Sequence, residues 1–270
     1  MAEWLPGHWW LAYLAIGCVA GFAAGLLGIG GGIVMVPMLV FVFSGQDMPA
    51  EHRLHVALGT AMATIIFTSL SSMRAHHGYG AVDWPIARAI APGILAGAFF
   101  AALVAGFIPT RPLAMMFTVV VIYAGTQMFF NLRPKNTRKL PGKAGLFGAG
   151  AVIGGVSSLA SAGGAFLSIP FLAWCDVPLR RAIGTAAAIG FPIALAGTAG
   201  YVLQGLRAND LPAGSLGYVY LPALALVVAT SMLAAPLGAR LAHRLPVKRL
   251  RIVLALMLYG MAAKMLAGLW

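Results

Sequence analysis

Acidic residues are scarce in this chain: six Asp and Glu stand against eighteen Lys and Arg in 270 residues. Charged residues of both signs make up only 9%, whereas 61% are hydrophobic. A soluble domain carries about 25% charge, so a water-facing surface of ordinary composition is excluded. The six acids are Glu3, Asp47, Glu51, Asp83, Asp176 and Asp210, and each falls in a loop or at the edge of an apolar run. A buried carboxylate relay for protons or sodium therefore has no candidate. There are two cysteines, Cys18 and Cys175, both in apolar runs. They read as packing residues rather than a disulfide or redox pair. Metal-ligand spacing, a Walker loop and a dinucleotide fingerprint are all missing, so no cofactor or metal is expected. Gly28-Ile-Gly30-Gly-Gly superficially resembles a phosphate loop but lacks the Lys-Ser/Thr and any βαβ context. With no constellation of His, Glu, Asp or Cys inside the apolar runs, an enzyme is not expected.

What is present is long uncharged sequence. Residues 56–73, 89–108, 112–132, 182–206 and 211–239 carry no formal charge, and 252–270 carries only Lys264 near its end. Eighteen apolar residues suffice to cross a bilayer, and a terminal lysine snorkels to the interface. The chain reads as an all-α, multi-pass integral membrane protein with lipid as its solvent. The first residues lack the basic stretch of a secretory signal and read as mature structure. The net charge of +12 sits in short loops between spans. Topology accounts for it, and no nucleic-acid partner is expected.

A pattern also repeats. Residues 9–43 are uncharged but interrupted by Gly28-Ile29-Gly30-Gly31-Gly32. Gly21, Gly30, Gly31 and Pro37 match Gly154, Gly163, Gly164 and Pro170 at a fixed offset of 133. Ala57-Leu-Gly-Thr60-Ala61 returns as Ala182-Ile-Gly-Thr185-Ala186, and Pro92 is aligned with Pro222. The expected organisation is a first transmembrane repeat, 1–132, a basic linker, 133–143, and a second transmembrane repeat, 144–270. Each repeat holds one glycine-broken segment followed by three spans.

Loop charge decides how the broken segments sit. If each crosses once, the eighteen Lys and Arg divide nine and nine between the two sides, which shows no bias. If each enters and leaves on one side, fourteen of the eighteen collect together, and only Arg53, Arg111, Arg207 and Lys264 lie opposite. The second arrangement satisfies the positive-inside rule. Residues 33–43 number eleven, roughly 16 Å of helix, about half of a ~30 Å hydrocarbon core. The fold expected is two inverted repeats, each a glycine-broken re-entrant helical hairpin plus three transmembrane helices, with both termini outside. Residues Trp9–Leu27 are long enough to span alone, which would make one arm of the first hairpin longer than the other.

Irregular backbone at membrane depth must be buried in protein or line a cavity. Each break precedes a helix start, where free N–H groups and the macrodipole favour an anion. Gly28, Gly30, Gly31, Gly32, Gly163 and Gly164 are the candidate backbone donors. The alternative is that these glycines only let helices pack closely. Ser161 is the side-chain candidate at the second break, with Ser157 and Ser158 beside it; each serine alternatively bonds a carbonyl of its own helix. Thr60 and Thr185 either face the cavity or cap local backbone. His55, at a span entrance, is the candidate for proton coupling, with a surface histidine as the alternative. His76, His77 and Arg74 read as a loop cluster on the basic side.

The segment Gly25-Leu-Leu-Gly-Ile-Gly-Gly-Gly-Ile-Val-Met-Val-Pro37, followed by Ala57-Leu-Gly-Thr-Ala61, resembles the TauE/SafE family of sulfite exporters. Gly163-Gly164, Pro170 and Ala182-Ile-Gly-Thr-Ala186 resemble the family's second repeat. The likeness covers about residues 10–268. It implies a transporter of the bacterial inner membrane whose cargo is sulfite, sulfoacetate or a related small sulfur-containing anion. Both termini are then periplasmic. The chain departs from the family pattern at its second break, where Ser161-Ala162 stands in for Gly-Ile and Ala165 replaces the last glycine. The expected function is secondary transport by alternating access at a midplane site, with a passive anion channel as the alternative. Direction, coupling ion and oligomeric state are left open by the sequence.

Overall fold

The structure is a computed structural model that describes residues 9–27, 30–130, 139–244 and 248–267, the side chains of 27 and 242–251 excepted. Candidate residue Gly28 and most of the linker, 133–138, lie outside the described residues. Helices dominate: α1 Trp9–Leu27, α2 Gly32–Gly45, α3 Ala50–Gly78, α4 Trp84–Ala105, α5 Thr110–Phe130, α6 Lys143–Leu159, α7 Ala165–Trp174, α8 Leu179–Gly205, α9 Leu221–Arg244 and α10 Lys248–Ala267. A short antiparallel ladder, β1 Ser215–Leu216 with β2 Val219–Tyr220, precedes α9. Six described helices are long and apolar enough to cross a membrane: α1, α3, α4, α5, α8 and α9. Their outer faces carry exposed Phe, Leu, Val and Met, the composition lipid contact requires.

Elements of residues 9–130 pack mainly against elements of 143–267. α1 lies along α9, α4 along α6, α3 against α8, and α5 against α10. Small residues set these contacts, because helices in lipid associate through close van der Waals packing. Gly17, Gly21 and Gly25 of α1 face Val227, Ser231 and Ala235 in turn, so α1 and α9 run parallel. Gly93 and Gly97 of α4 meet the Phe147 and Ala151 carbonyls of α6, again in parallel.

α1 and α2 form a hairpin with unequal arms of 19 and 14 residues. The Trp9 ring packs on Gly45, and the Tyr13 hydroxyl donates to Gln46 Oε1 at 2.9 Å, so the hairpin returns to the end where it began. α6 and α7 form a second hairpin, of 17 and 10 residues. Its short arm returns toward Ile86 and Ala182, near the starts of α4 and α8, with Leu172 packed against both. The starts of α4 and α8 lie at the bundle end opposite Trp9, because α3 begins beside the first hairpin's mouth and runs its full length to reach them.

Matching turns follow the two hairpins. Asp47 and Asp176 each adopt positive φ (53° and 62°) between a helix end and Pro49 or Pro178. Met48 N–H donates to the Phe43 carbonyl and Val177 N–H to the Leu172 carbonyl, closing both helices with the same six-to-one bond. A third correspondence corrects the proline alignment. Pro85 and Pro222 are each the second residue of their helix, a position where proline's missing N–H leaves no helical bond unmade. Pro92 lies inside α4 and is not the counterpart of Pro222. Cys175 is buried as expected, but Cys18 is exposed on the outer face of α1.

Candidate functional site

The two breaks meet at mid-depth. A Cβ on Gly30 would lie 2.8 Å from Gly163 Cα and 2.9 Å from Ile65 Cγ2; one on Gly32 would overlap the Ser161 carbonyl oxygen. Thr68 of α3 donates to the Gly30 carbonyl at 3.2 Å. Gly163 in turn lies against Gly190 of α8, where an added Cβ would lie 3.4 Å from the Ser69 side chain. Residues 65–69 and 190 are near the middles of α3 and α8. The contact is backbone on backbone, so where a cavity was expected between the breaks the two segments are in van der Waals contact.

Each break ends in a left-handed glycine followed by a helix. Gly31 and Gly164 both have φ near 78°, and neither α2 nor α7 has a side-chain cap. The first bonds back to these residues come from Val34 and Met35 onto Gly31, and from Leu167 and Ser168 onto Gly164. The N–H groups before them, at the starts of α2 and α7, have no side-chain cap.

The hydroxyls divide by role. Ser161 occupies the left-handed position (φ 42°) that terminates α6. Ser161 N–H donates to the Ser158 carbonyl and Ala162 N–H to the Ser157 carbonyl, the paired bonds of a helix-ending turn. Its own hydroxyl donates to the Leu58 carbonyl at 2.8 Å, so Ser161 fastens the second break to α3. Ser157, Ser158 and Ser168 are fully buried, and their hydroxyls have no hydrogen-bond partner among the described residues. Ser157 Oγ lies 3.4 Å from where a Cβ on Gly164 would sit, and Ser158 Oγ lies 2.8 Å from the same position on Gly197. A buried unpaired hydroxyl costs free energy unless something bonds it. Ser157, beside Gly164, and Ser168, on α7, therefore have hydroxyls available there, whereas that of Ser161 is already bonded. Ser168 was not singled out in the sequence, where it reads as an ordinary small residue of a helix.

Thr60 and Thr185 do not face the break contact. Thr60 Oγ1 accepts from the Tyr220 N–H and Thr185 Oγ1 from the Asp83 N–H, both at 2.9 Å. Gly59 and Gly184 lie against the Tyr218 and Ala81 carbonyls. The duplicated Gly-Thr pair is thus a clasp, in which each half holds a loop of the other.

His55 is buried, with Nε2 at 3.1 Å from the Ile108 carbonyl and 3.3 Å from that of Ala105. Its ring stacks at 5.1 Å on Tyr218. Burial, with the Glu51 carboxylate nearby, holds the Tyr218 phenol above its ordinary range, so it stays neutral. His55 is far along α3 from the breaks. His76 is not the loop residue the sequence suggests: it is buried in the last turn of α3, with Nε2 3.2 Å from the Gly25 carbonyl of α1. The last turn of α3 was hidden in the sequence because polar Arg74, His76 and His77 interrupt the apolar run.

No group of three or more His, Cys, Asp or Glu suited to a metal occurs among the described residues. The family described as Sulfite exporter TauE/SafE matches residues 13–265. A probable membrane transporter protein of Haemophilus influenzae is 36% identical over 257 residues, covering 94% of this chain and 97% of that protein. A probable membrane transporter protein of Methanocaldococcus jannaschii is 26% identical over 256 residues, covering 94% of each. YunE of Bacillus subtilis, also a probable membrane transporter protein, is 34% identical over 119 residues, covering 43% of this chain and 40% of that protein. No solved structure matches the chain.

Proposed function

The chain belongs to the sulfite exporter TauE/SafE family, and from that premise we propose that it is a secondary transporter of small sulfur-containing anions such as sulfite or sulfoacetate. The observation that carries the reading is the meeting of two uncapped helix starts, at Gly31 and Gly164, halfway through the bundle. Facing N-termini supply partial positive charge with no full cation, and the acids among the described residues, Asp47, Glu51, Asp83, Asp176 and Asp210, lie at loops and helix edges. The buried hydroxyls of Ser157, Ser158 and Ser168 add donors to the second half of the site, beside Gly30, Gly32 and Gly163 of the break contact.

In this reading the two halves are inverted repeats. Each contributes a re-entrant hairpin, the hairpin mouths open at opposite ends, and the termini are periplasmic in the bacterial inner membrane. Rocking of one half against the other parts the breaks toward each side in turn. The direct backbone contact between the breaks favours this over a standing pore. Transport of radiolabelled sulfite and sulfoacetate into proteoliposomes tests the assignment. Saturable flux with acceleration by unlabelled anion on the far side is expected. Absence of saturable flux across a panel of sulfur oxyanions overturns the cargo, and flux without trans-acceleration overturns the carrier in favour of a channel.

A further inference from the structure

A groove of about 510 Å³ opens between the ends of α3 and α9, lined by Ser71, Arg74, Tyr79, Met232, Pro236 and Arg240 among others. Arg74 comes from the first half and Arg240 from the second. Both are exposed, and neither has a carboxylate partner among the described residues. Its floor is fixed by proline chemistry. Pro236 has no N–H to offer the Met232 carbonyl one turn earlier, and the Ser71 hydroxyl donates to that carbonyl instead, at 3.0 Å. The groove lies at the water-facing end. α3 has 29 residues, about 43 Å of helix against a ~30 Å hydrocarbon core, and Arg74 is in its last turns. Behind the groove, His76 holds the Gly25 carbonyl, five residues before Gly30 of the first break.

We propose that this groove is an oxyanion-capture site, in which Arg74 and Arg240 together hold a sulfonate-like group at the mouth of the path to the first break. Each guanidinium presents a planar fork that takes two oxygens of a tetrahedral sulfonate or phosphate by paired hydrogen bonds, so two of them lining one concavity can share such a group. A volume of this size admits an organic anion with water. Because the two arginines come from different halves, the occupied site also bridges the surfaces that rocking would separate. The same chemistry suits the phosphate of an anionic lipid, so the ligand is either soluble or lipid-borne. The capture of cargo rests on the transport reading above; the binding of an oxyanion does not.

Arginine modification by phenylglyoxal, read residue by residue by mass spectrometry on the full-length protein, separates these. In detergent, sulfoacetate is expected to slow modification of Arg74 and Arg240 at least threefold relative to chloride at equal ionic strength. Arg111, exposed in the first turn of α5, is the reference and should not change. The same protection in phosphatidylglycerol nanodiscs but not phosphatidylcholine nanodiscs, with none from sulfoacetate, assigns the site to lipid. Equal modification under all conditions overturns the site. In proteoliposomes, Arg74→Gln and Arg240→Gln are expected to raise KM about tenfold for anion presented at the groove side. The maximal rate, and KM from the opposite side, should stay unchanged. Protection of both arginines without any flux in the wild-type protein upholds the site and removes the transport reading. Flux with unprotected arginines does the reverse.

Discussion

The two breaks occupy equivalent places and are built differently. Among its described residues the first turns on glycine: Gly30 and Gly31 both take positive φ (70° and 78°) and offer backbone only. The second uses Ser161 and Gly164 for its left-handed positions and places three unpartnered buried hydroxyls around them. Space differs too. At Gly31 a Cβ would run into the Ala20 carbonyl, which is backbone. At Gly164 it would meet the tip of Ile193, which can rotate away. One break is a rigid backbone corner, and the other is a looser corner lined with polar groups.

The sharpest way to break this comparison is to put a side chain on both corners. Gly31→Leu is expected to abolish flux and lower the thermal unfolding midpoint in detergent. It combines a left-handed conformation costing about 1–3 kcal/mol with a clash against fixed backbone. Gly164→Ala carries a similar conformational cost, but Ile193 can move. Flux roughly tenfold below wild type, with membrane insertion retained, is expected there. Equal losses at Gly31→Ala and Gly164→Ala would erase the difference between rigid and loose corners.

Much of this difference was legible in the sequence, and part was not. The breaks, their offset of 133 and the serine substitutions stand out because glycine and proline punctuate otherwise uniform apolar sequence. The unequal arms of the first hairpin follow from the length of Trp9–Leu27. What the sequence could not separate is which hydroxyl does what. Ser157, Ser158 and Ser161 lie within five residues, yet only Ser161 faces the Leu58 carbonyl. The helix-ending turn decides that, and the turn depends on a φ no composition reveals. Thr60 and Thr185 were visible as a pair, but their partners, Tyr220 and Asp83, are distant in sequence and belong to the opposite half. His76 escaped because a membrane helix that outruns the bilayer ends in polar residues that look like a loop.

The clasp marks where the halves are alike, so it sharpens the comparison from the other side. Thr60→Val and Thr185→Val each orphan one backbone N–H at nearly constant volume. A loss of about 1–3 kcal/mol is expected from each, similar in the two, read as matching shifts in unfolding midpoint. Restoration by serine in either place is expected to recover most of the loss. A large loss at one threonine and none at the other would show that only one loop is held. The break-region comparison would then extend to the whole of each half.

The smallest effect on stability should come from the residues with the most to say about cargo. Ser157→Ala and Ser158→Ala remove buried hydroxyls that bond nothing. Deleting an unsatisfied polar group in a dry site is neutral or slightly stabilising, so the unfolding midpoint should stay put or rise. Flux, in contrast, should fall several-fold through KM if, as proposed, those hydroxyls bond the anion when the halves part. Alanine at the matching place in the first break is already native, as Ala24, so Ala24→Ser is the reciprocal test. It should leave KM near wild type if the anion's polar end faces the second break. If Ser157→Ala destabilises the protein and leaves KM untouched, the hydroxyls are packing groups, and the two breaks differ in architecture alone.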